Sequence, residues 1–291
     1  MVDDPRLLVA GLCLVVASFV FALMMRRLRS RRAALAPRPM AKIAARPMAD
    51  IGGMPVAVRP GTKTIAIIHD FGHPYGHHSD ERQYLSTREA FEILAEIRSA
   101  GSDTPIDIIL HTPGGEAFAC ELIASVLKDR PNTTSYVPYC AMSAGTIIAL
   151  ATEKVVMGRY AVLGPIDTQY GPFPAESLKR LVKEKPIQNI EDFTVLLSYL
   201  AEKEVRNAKQ RACDLLNKKH FGSDDACALT DFLVSGDLPH SEQINRDRAV
   251  QLGVNIAKED CPPPVYQMVE SRLALLNASP GPNGFNPGYK K

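Results

Sequence analysis

The chain has 291 residues, of which 46% are hydrophobic, and it carries 34 Lys or Arg against 32 Asp or Glu. This length allows one large domain or two small ones, and the apolar share is ordinary for a globular enzyme. A formal net charge of +2 gives no reason to expect nucleic-acid binding. We therefore expect a folded domain with no nucleic-acid partner.

An uncharged apolar run, Leu7–Met25, lies near the amino terminus. About twenty such residues are enough to cross the hydrocarbon core of a bilayer. Asp3 and Asp4 precede the run and the arginine-rich Arg26–Arg32 follows it, the reverse of the order in a cleaved signal peptide. We predict a single transmembrane anchor over residues 1–26, in the inner membrane. The positive-inside rule puts its amino terminus outside and the rest of the chain in the cytoplasm.

Three further segments follow the anchor. Residues 27–60 are basic and rich in Pro and Ala, with no apolar period, and predict a linker. Residues 61–260 are expected to form the functional domain. Residues 261–291 are expected to hold a C-terminal helix and a disordered tail that begins at Ser279.

No cofactor or metal motif is found in the sequence. The six cysteines have no CxxC pairing or metal-ligand spacing, so reduced thiols are expected in a cytoplasmic domain. Four histidines are close in sequence, but their spacing does not fit a metal-ligand motif: His69, His73, His77 and His78. We expect no metal, and no bound nucleotide because no Walker motif occurs.

Apolar strands alternate with helices in the first part of the predicted domain. We predict strands at residues 64–69, 106–111, 133–139 and 154–157, and helices at 87–100, 144–152 and in the stretch that ends at 128. This alternation predicts an α/β fold with a covered parallel sheet. Beyond Asp167 the apolar period becomes helical, with helices predicted at 175–185, 191–219, 223–235 and 245–252.

Two glycine-containing turns at strand ends carry the chemistry. Small residues flank Ser143 in Ala141–Gly145, which permits a sharp turn between a strand and a helix. The His111–Gly115 stretch, HTPGG, ends the preceding strand, and glycine lets another backbone approach closely. A serine beside two sets of free N–H groups is what acyl transfer to water requires.

These motifs, at their spacings, resemble the ClpP/crotonase superfamily and, within it, the SppA-like membrane serine peptidases. The resemblance is strongest to the serine dehydrogenase proteinase family and extends from about Thr64 to about Gly253. The stretches that carry it are Ile109–Gly115, Val137–Thr146, Ile148–Leu150 and Val162–Asp167. It implies a spiral of ββα units, a protein or peptide substrate, and a homo-oligomer that uses helices after Asp167 for its contacts.

The resemblance also implies roles for individual residues. Ser143 would be the nucleophile, Gly114 would shape the turn, and the N–H groups of Gly115 and Ala144 would hold the oxyanion. Asp167 would orient a base or cap the turn that follows it. His111 is expected either to line the cleft or to bond to the backbone.

The general base is left open between a lysine and a histidine. No histidine occurs between Ser143 and His220, whereas SppA-like members carry a lysine about forty to fifty residues after the serine. Lys185, which is followed by Pro186, is the leading candidate; Lys183 is next, and Lys179 lies in the same window. His240 is the alternative.

We therefore predict a membrane-anchored serine endopeptidase that works through an acyl-enzyme. Two other classes of function share the same turns. A crotonase-type enzyme that binds acyl-CoA would use the oxyanion turns without needing a serine at position 143. A scaffold could keep the fold and lack the chemistry.

Overall fold

The computed structural model describes residues 57–71, 83–170, 173–216, 220, 225–236, 238 and 241–278. The predicted anchor Leu7–Met25, most of the linker, the tail from Ser279, and His73, His77, His78 and His240 lie outside the described residues. Among the helices that the structure does describe, none is long and apolar enough to cross a membrane.

A four-stranded parallel sheet forms the centre of the domain. Its strands are β1 (Lys63–Ile68), β2 (Ile106–His111), β3 (Thr133–Val137) and β5 (Lys154–Met157), in the order β1-β2-β3-β5. All six residues of β2 are buried, as expected for a strand covered on both faces. The parallel sheet predicted from the alternation of strands and helices is confirmed.

Helices cover both faces of this sheet. On one face lie α1 (Thr87–Ser99), α2 (Ala117–Asp129) and α3 (Ala144–Ala151), which share the main hydrophobic core with Ile108 and Leu110 of β2. On the other face, α8 (Pro263–Ala278) packs against Ile109. Successive side chains of a strand point to opposite faces, so the apolar run of β2 contributes to both cores.

Very short strands form a second layer beyond the carboxyl ends of the main sheet. They are β4 (Cys140–Ala141), β6 (Val162–Leu163) and β9 (Ile244–Asn245). An isolated parallel bridge joins Thr112 to β4. Thus β2, β3 and β5 each run on into this layer, and after β2 and β3 a helix follows, which is the strand–strand–helix turn that the resemblance implied. The sequence did not predict these two-residue strands.

The remainder of the described chain is mostly helical. It comprises a hairpin of β7 (Gln169–Tyr170) and β8 (Phe173–Pro174), then α4 (Ala175–Glu184), a 3-10 turn (Ile187–Asn189), α5 (Asp192–Leu215), α6 (Asp225–Leu233) and α7 (Arg246–Gln251). The helices match the predicted order. Cys213 is disulfide-bonded, so the expectation of reduced thiols is wrong there, whereas Cys120, Cys140 and Cys261 are free.

The segment before β1 is clamped to the amino end of the main sheet. Asp107, the second residue of β2, is fully buried and accepts hydrogen bonds from the Arg59 guanidinium, with Nε at 3.1 Å from Oδ1 and 3.2 Å from Oδ2. The Thr62 hydroxyl donates to the same carboxylate at 3.0 Å. The partnership with Asp107 raises the pKa of Arg59. A buried carboxylate requires such partners, because an unpaired charge inside the protein is costly.

Candidate active site

Ser143 lies in a strained turn at the amino end of α3. Its backbone has φ 50° and ψ −116°, a conformation that costs a non-glycine residue about 1–3 kcal/mol. Small neighbours make the turn sterically feasible: a Cβ on Gly145 would lie 2.6 Å from the Thr112 methyl carbon. Strain of this kind at a half-buried serine is typical of a nucleophile held at the end of a sheet.

The Pro-Gly-Gly turn packs directly against Ser143. Gly114 has φ 105°, and a Cβ there would lie 2.9 Å from both the Ser143 Cβ and the Met142 carbonyl oxygen. A Cβ on Gly115 would overlap the Leu85 carbonyl oxygen. Only glycine permits these two approaches, so the sequence prediction of a close backbone approach at this turn is confirmed.

Thr112 connects this turn to the turn that carries the serine. Its N–H donates to the Cys140 carbonyl at 3.2 Å, and its own carbonyl accepts from the Met142 N–H at 2.9 Å. Its hydroxyl oxygen accepts the Gly114 N–H at 3.0 Å. One residue therefore sets the position of both turns relative to each other.

Thr146, in the first turn of α3, adds the third turn that the sequence singled out. Its hydroxyl lies 2.8 Å from both the Ala141 and the Gly164 carbonyl oxygens, and it accepts the Gly164 N–H at 3.1 Å. The Gly164–Asp167 stretch is thereby held beside Ser143.

These turns open into a cleft of about 620 Å³. Ser143, Gly114, Gly115, Ala144 and Asp167 all line it, so the structure brings these five predicted residues together. Among the described residues, neither the Gly115 N–H nor the Ala144 N–H has a hydrogen-bond acceptor. Two such donors beside a serine are suited to binding an oxyanion.

The inner part of the cleft is apolar and its margin carries charged side chains. Cys120, Ile147, Ala208 and Leu215 are among the apolar lining residues. The charged residues that line the described cleft are Glu116, Glu121, Asp167, Glu204 and Arg211. The cleft therefore combines an apolar lining with charged side chains, as small-molecule and peptide sites do.

The three lysines considered as bases do not line the described cleft with the other five residues, and His240 lies outside the described residues. Lys185 caps the C-terminal end of α4, is exposed, and does not line the described cleft. Lys183 is also exposed, and the Lys179 ammonium pairs with Glu176 at 2.5 Å. The ammonium group of a lysine at the end of a surface helix stays hydrated, whereas a lysine base must be buried so that desolvation favours its neutral form.

Asp167 and His111 have clear hydrogen-bond partners. The Asp167 carboxylate lines the cleft and accepts a hydrogen bond from Gln169 Nε2 at 2.7 Å. His111 does not line the cleft; its Nδ1 lies 3.5 Å from the Cys140 sulfur, and its carbonyl accepts from the His69 N–H at 2.8 Å. Burial lowers the pKa of His111 to about 4.

A buried polar group behind the turn was not predicted. His69 Nδ1 lies 2.7 Å from the Thr112 hydroxyl, and His69 Nε2 lies 2.8 Å from a carboxylate oxygen of Glu89. The Ser86-x-x-Glu89 pattern, which resembles a helix capping box, was the available signal for Glu89. Within the described residues, no group of three or more His, Cys, Asp or Glu side chains could hold a metal ion.

Residues 57–282 match the profile of a protein family described as ClpP-like, SDH-type serine proteinases. The chain belongs to this family. The serine, the two glycine turns and the cleft all lie inside the matched region.

Two archaeal relatives of this chain come from Methanocaldococcus jannaschii. Uncharacterized protein MJ0137 is 38% identical over 189 residues, which cover 65% of each chain. Uncharacterized protein MJ1495 is 33% identical over 227 residues, which cover 76% of this chain and 75% of the relative. The chain thus spans somewhat less than two thirds of the first relative's length.

Two solved structures are among those similar to this chain. ClpP1 from Listeria monocytogenes is 16% identical, with a TM-score of 0.42, over 67% of this chain and 91% of that chain. The 1510-N membrane protease specific for a stomatin homolog from Pyrococcus horikoshii is 17% identical, with a TM-score of 0.37, over 71% and 76% of the respective chains.

Proposed function

We propose that this chain is a serine endopeptidase that hydrolyses peptide bonds through an acyl-enzyme on Ser143. The observation that carries the proposal is the convergence of three features in one cleft. These are a serine held at positive φ, a glycine turn packed against it, and two N–H groups without acceptors among the described residues. Membership of a serine proteinase family supports the same chemistry.

The reaction follows from the position of these groups. The Ser143 oxygen attacks the scissile carbonyl carbon while a base takes its proton, and the oxyanion accepts hydrogen bonds from the Gly115 and Ala144 N–H groups. The C–N bond then breaks, the amine leaves with a proton, and the acyl group stays on the serine. Water attacks the ester in the second half-reaction and frees Ser143.

The proton acceptor in this proposal is Lys185, as the resemblance to SppA-like peptidases indicates, and His240 is the alternative. Because Lys185 is exposed and does not line the described cleft, the proposal requires α4 to move toward Ser143 or to be covered in an assembled form. A homo-oligomer that contacts through the helices after Asp167 fits this requirement. Desolvation in such a contact would also favour the neutral amine that a base needs.

The proposal extends to the membrane. Leu7–Met25 anchors the chain in the inner membrane, and the catalytic domain is cytoplasmic. A reporter fused after Lys291 in the full chain should therefore behave as cytoplasmic. Export of that reporter would contradict the proposed orientation.

The nucleophile is tested with Ser143→Ala in the full-length protein. This change removes the hydroxyl and little volume, so peptide hydrolysis and labelling by a fluorophosphonate probe should both be lost, the former by several orders of magnitude. Ser125→Ala, at an exposed position of α2, is the matched control and should keep both. Unlabelled wild-type protein with no peptidase activity would instead favour a scaffold or an acyl-CoA binder.

The base is tested with three substitutions. Lys185→Arg should abolish hydrolysis, because a guanidinium stays protonated at working pH. Lys183→Arg tests the next candidate, and His240→Ala should keep most activity. An active Lys185→Arg with an inactive His240→Ala would assign the base to the histidine.

A further inference from the structure

The Gly114–Gly115 turn, called the oxyanion turn below, is backed by a chain of hydrogen bonds through three buried or half-buried side chains. His69 directly follows β1 and is only 2% exposed. Its ring bonds Glu89 of α1 through Nε2, at 2.8 Å, and Thr112 through Nδ1, at 2.7 Å. Thr112 is fully buried, and its hydroxyl oxygen is the acceptor for the Gly114 N–H at 3.0 Å.

The direction of each bond follows from the chemistry of the partners. An ionised Glu89 carboxylate has only acceptors, so His69 Nε2 must carry the hydrogen that it donates. In a neutral imidazole Nδ1 then has a lone pair, which accepts the Thr112 hydroxyl hydrogen. The hydroxyl oxygen is left to accept from Gly114. Every donor in the chain thus has an acceptor, with the His69 tautomer set by Glu89.

The oxyanion turn needs this support because glycine has no side chain that could fix it. Apart from Thr112, its main-chain hydrogen bonds among the described residues are with Leu85, whose N–H donates to the Gly114 carbonyl at 2.8 Å and whose carbonyl accepts from the Glu116 N–H at 2.9 Å. Those bonds fix the outer side of the turn. The Thr112 hydroxyl fixes the inner side, which faces Ser143.

We propose that His69, Thr112 and Glu89 are positioning residues for catalysis, because they hold the Gly114–Gly115 turn at the distance from Ser143 that oxyanion binding requires. The inference rests on the proposed serine peptidase function. None of the three touches the substrate in this proposal. Their effect passes through the Gly114 amide to the adjacent Gly115 N–H.

The test compares Thr112→Val with Thr112→Ser in the full-length protein. Valine keeps the methyl that packs on Gly145 but removes the hydroxyl, whereas serine keeps the hydroxyl. We expect kcat for peptide hydrolysis to fall about 10- to 100-fold in Thr112→Val with KM changed less than about threefold, because misplacement of a donor acts on the transition state. Thr112→Ser should recover most of the wild-type kcat.

Thr152→Val is the matched control. Thr152 is also fully buried, and its hydroxyl also bonds main-chain and side-chain partners, at 2.7 Å from the Ala149 carbonyl and 3.0 Å from the Ser135 hydroxyl. It follows the C-terminal end of α3, away from Ser143. Thr152→Val should therefore lower the melting temperature without the fall in kcat. Equal losses of kcat in Thr152→Val and Thr112→Val would overturn the positioning role.

The pair His69→Leu and His69→Asn repeats the test without changing Thr112. Asparagine can present an amide near the position of Nδ1 and keep the bond to the hydroxyl, whereas leucine cannot. We expect kcat to be lower in His69→Leu than in His69→Asn. The same kcat in both variants would count against the chain of hydrogen bonds. This comparison still applies if Thr112→Val does not fold.

Hydrogen exchange separates failure of this inference from failure of the proposed function. If the wild type hydrolyses peptides and Thr112→Val does so equally well, the positioning role is wrong and the peptidase stands. If the wild type neither hydrolyses peptides nor labels at Ser143, the peptidase fails. Exchange of the Gly114 amide is measured independently of activity. It should be at least about tenfold faster in Thr112→Val than in the wild type, since the amide loses its acceptor. Unchanged exchange overturns the inference.

Discussion

Gly114 and Ser143 are in contact so close that a single methyl group on the glycine would collide with the serine. A Cβ on Gly114 would lie 2.9 Å from the Ser143 Cβ and 3.0 Å from the Ala144 nitrogen. The position of the oxyanion turn therefore depends directly on the position of Ser143. A change at this contact should affect activity more than the same change at a glycine elsewhere in the domain.

Gly114→Ala should reduce kcat/KM by at least about 100-fold, because it displaces the nucleophile or the turn by a large fraction of an ångström. Gly61→Ala is the matched control, since Gly61 also has positive φ, 75°, but a Cβ there would meet nothing within 4 Å. Both variants carry the strain of a left-handed residue, and only Gly114→Ala carries the clash. Equal activities in a peptide assay would show that the contact does not matter.

Ser143→Gly should have a higher free energy of unfolding than Ser143→Ala, by about 1 kcal/mol, because glycine relieves the strain at φ 50°. The comparison is made by denaturant unfolding at neutral pH. At the control position the order should be reversed: Ser125→Gly should have a lower free energy of unfolding than Ser125→Ala, since glycine inside the α2 helix is about 1 kcal/mol less favourable than alanine. A Ser143→Ala protein as stable as Ser143→Gly would mean that the turn is not strained.

Acid should destabilise the fold through His220. Burial lowers the pKa of His220 to about 4, and the ring is held neutral because Nδ1 accepts the Asn255 N–H at 3.2 Å while Nε2 donates to the Thr152 carbonyl. In the unfolded chain the pKa is about 6.5. The unfolded state then binds the proton first, so this stability is complete above pH 6.5 and is lost as the pH falls toward 4.

The loss should reach about 3 kcal/mol at most, from the difference between the two pKa values. His220→Gln keeps a donor for the carbonyl but does not titrate, so its unfolding free energy should fall less steeply over the same pH range. His111, whose pKa is also lowered to about 4, continues to contribute in both proteins. Identical slopes for wild type and His220→Gln would exclude this role.

The carboxylates at the margin of the cleft should favour cationic peptides. Four acidic residues line the described cleft against one guanidinium, that of Arg211, which pairs with Glu121 at 2.5 Å. A peptide with Lys beside the scissile bond should have a lower KM than the same peptide with Glu. The difference should shrink between about 0.01 M and 1 M salt, because the screening length falls from about 30 Å to 3 Å.

Glu204→Gln should weaken this preference, whereas Glu202→Gln should not. Both residues are exposed on α5, but Glu204 lines the cleft and Glu202 pairs with Arg206 at 3.4 Å outside it. The same KM for both peptides in the wild type would contradict the prediction.

Most of the long elements could be predicted from the sequence because their signals are local. The strand at residues 106–111 and the helix from Ala144 have the predicted bounds to within a residue. The convergence of Ser143 with Gly114 also follows from sequence, since both come directly after neighbouring parallel strands. The turns share one sheet edge for that reason.

What could not be predicted depends on packing between distant segments. Two-residue strands such as β4 and β6 are too short to show an alternation of apolar and polar residues. The role of Glu89 requires knowing that α1 lies beside the end of β1, since its side chain bonds His69, twenty residues earlier. Lys185 was predicted to be buried but is exposed. Whether a lysine is buried depends on what packs over α4, and the number of residues between Ser143 and Lys185 does not indicate this.

The clamp between Arg59 and Asp107 has a mechanical consequence. Asp107 is near the amino end of β2, whereas Thr112 and Gly114 follow its carboxyl end, so β2, at about 3.3 Å per residue, puts roughly 16 Å between Asp107 and Thr112. The segment before β1 is therefore held to the sheet by a buried carboxylate at the end opposite Thr112 and Gly114. We expect the clamp to limit how far a pull on that segment changes the spacing of Ser143 and Gly114.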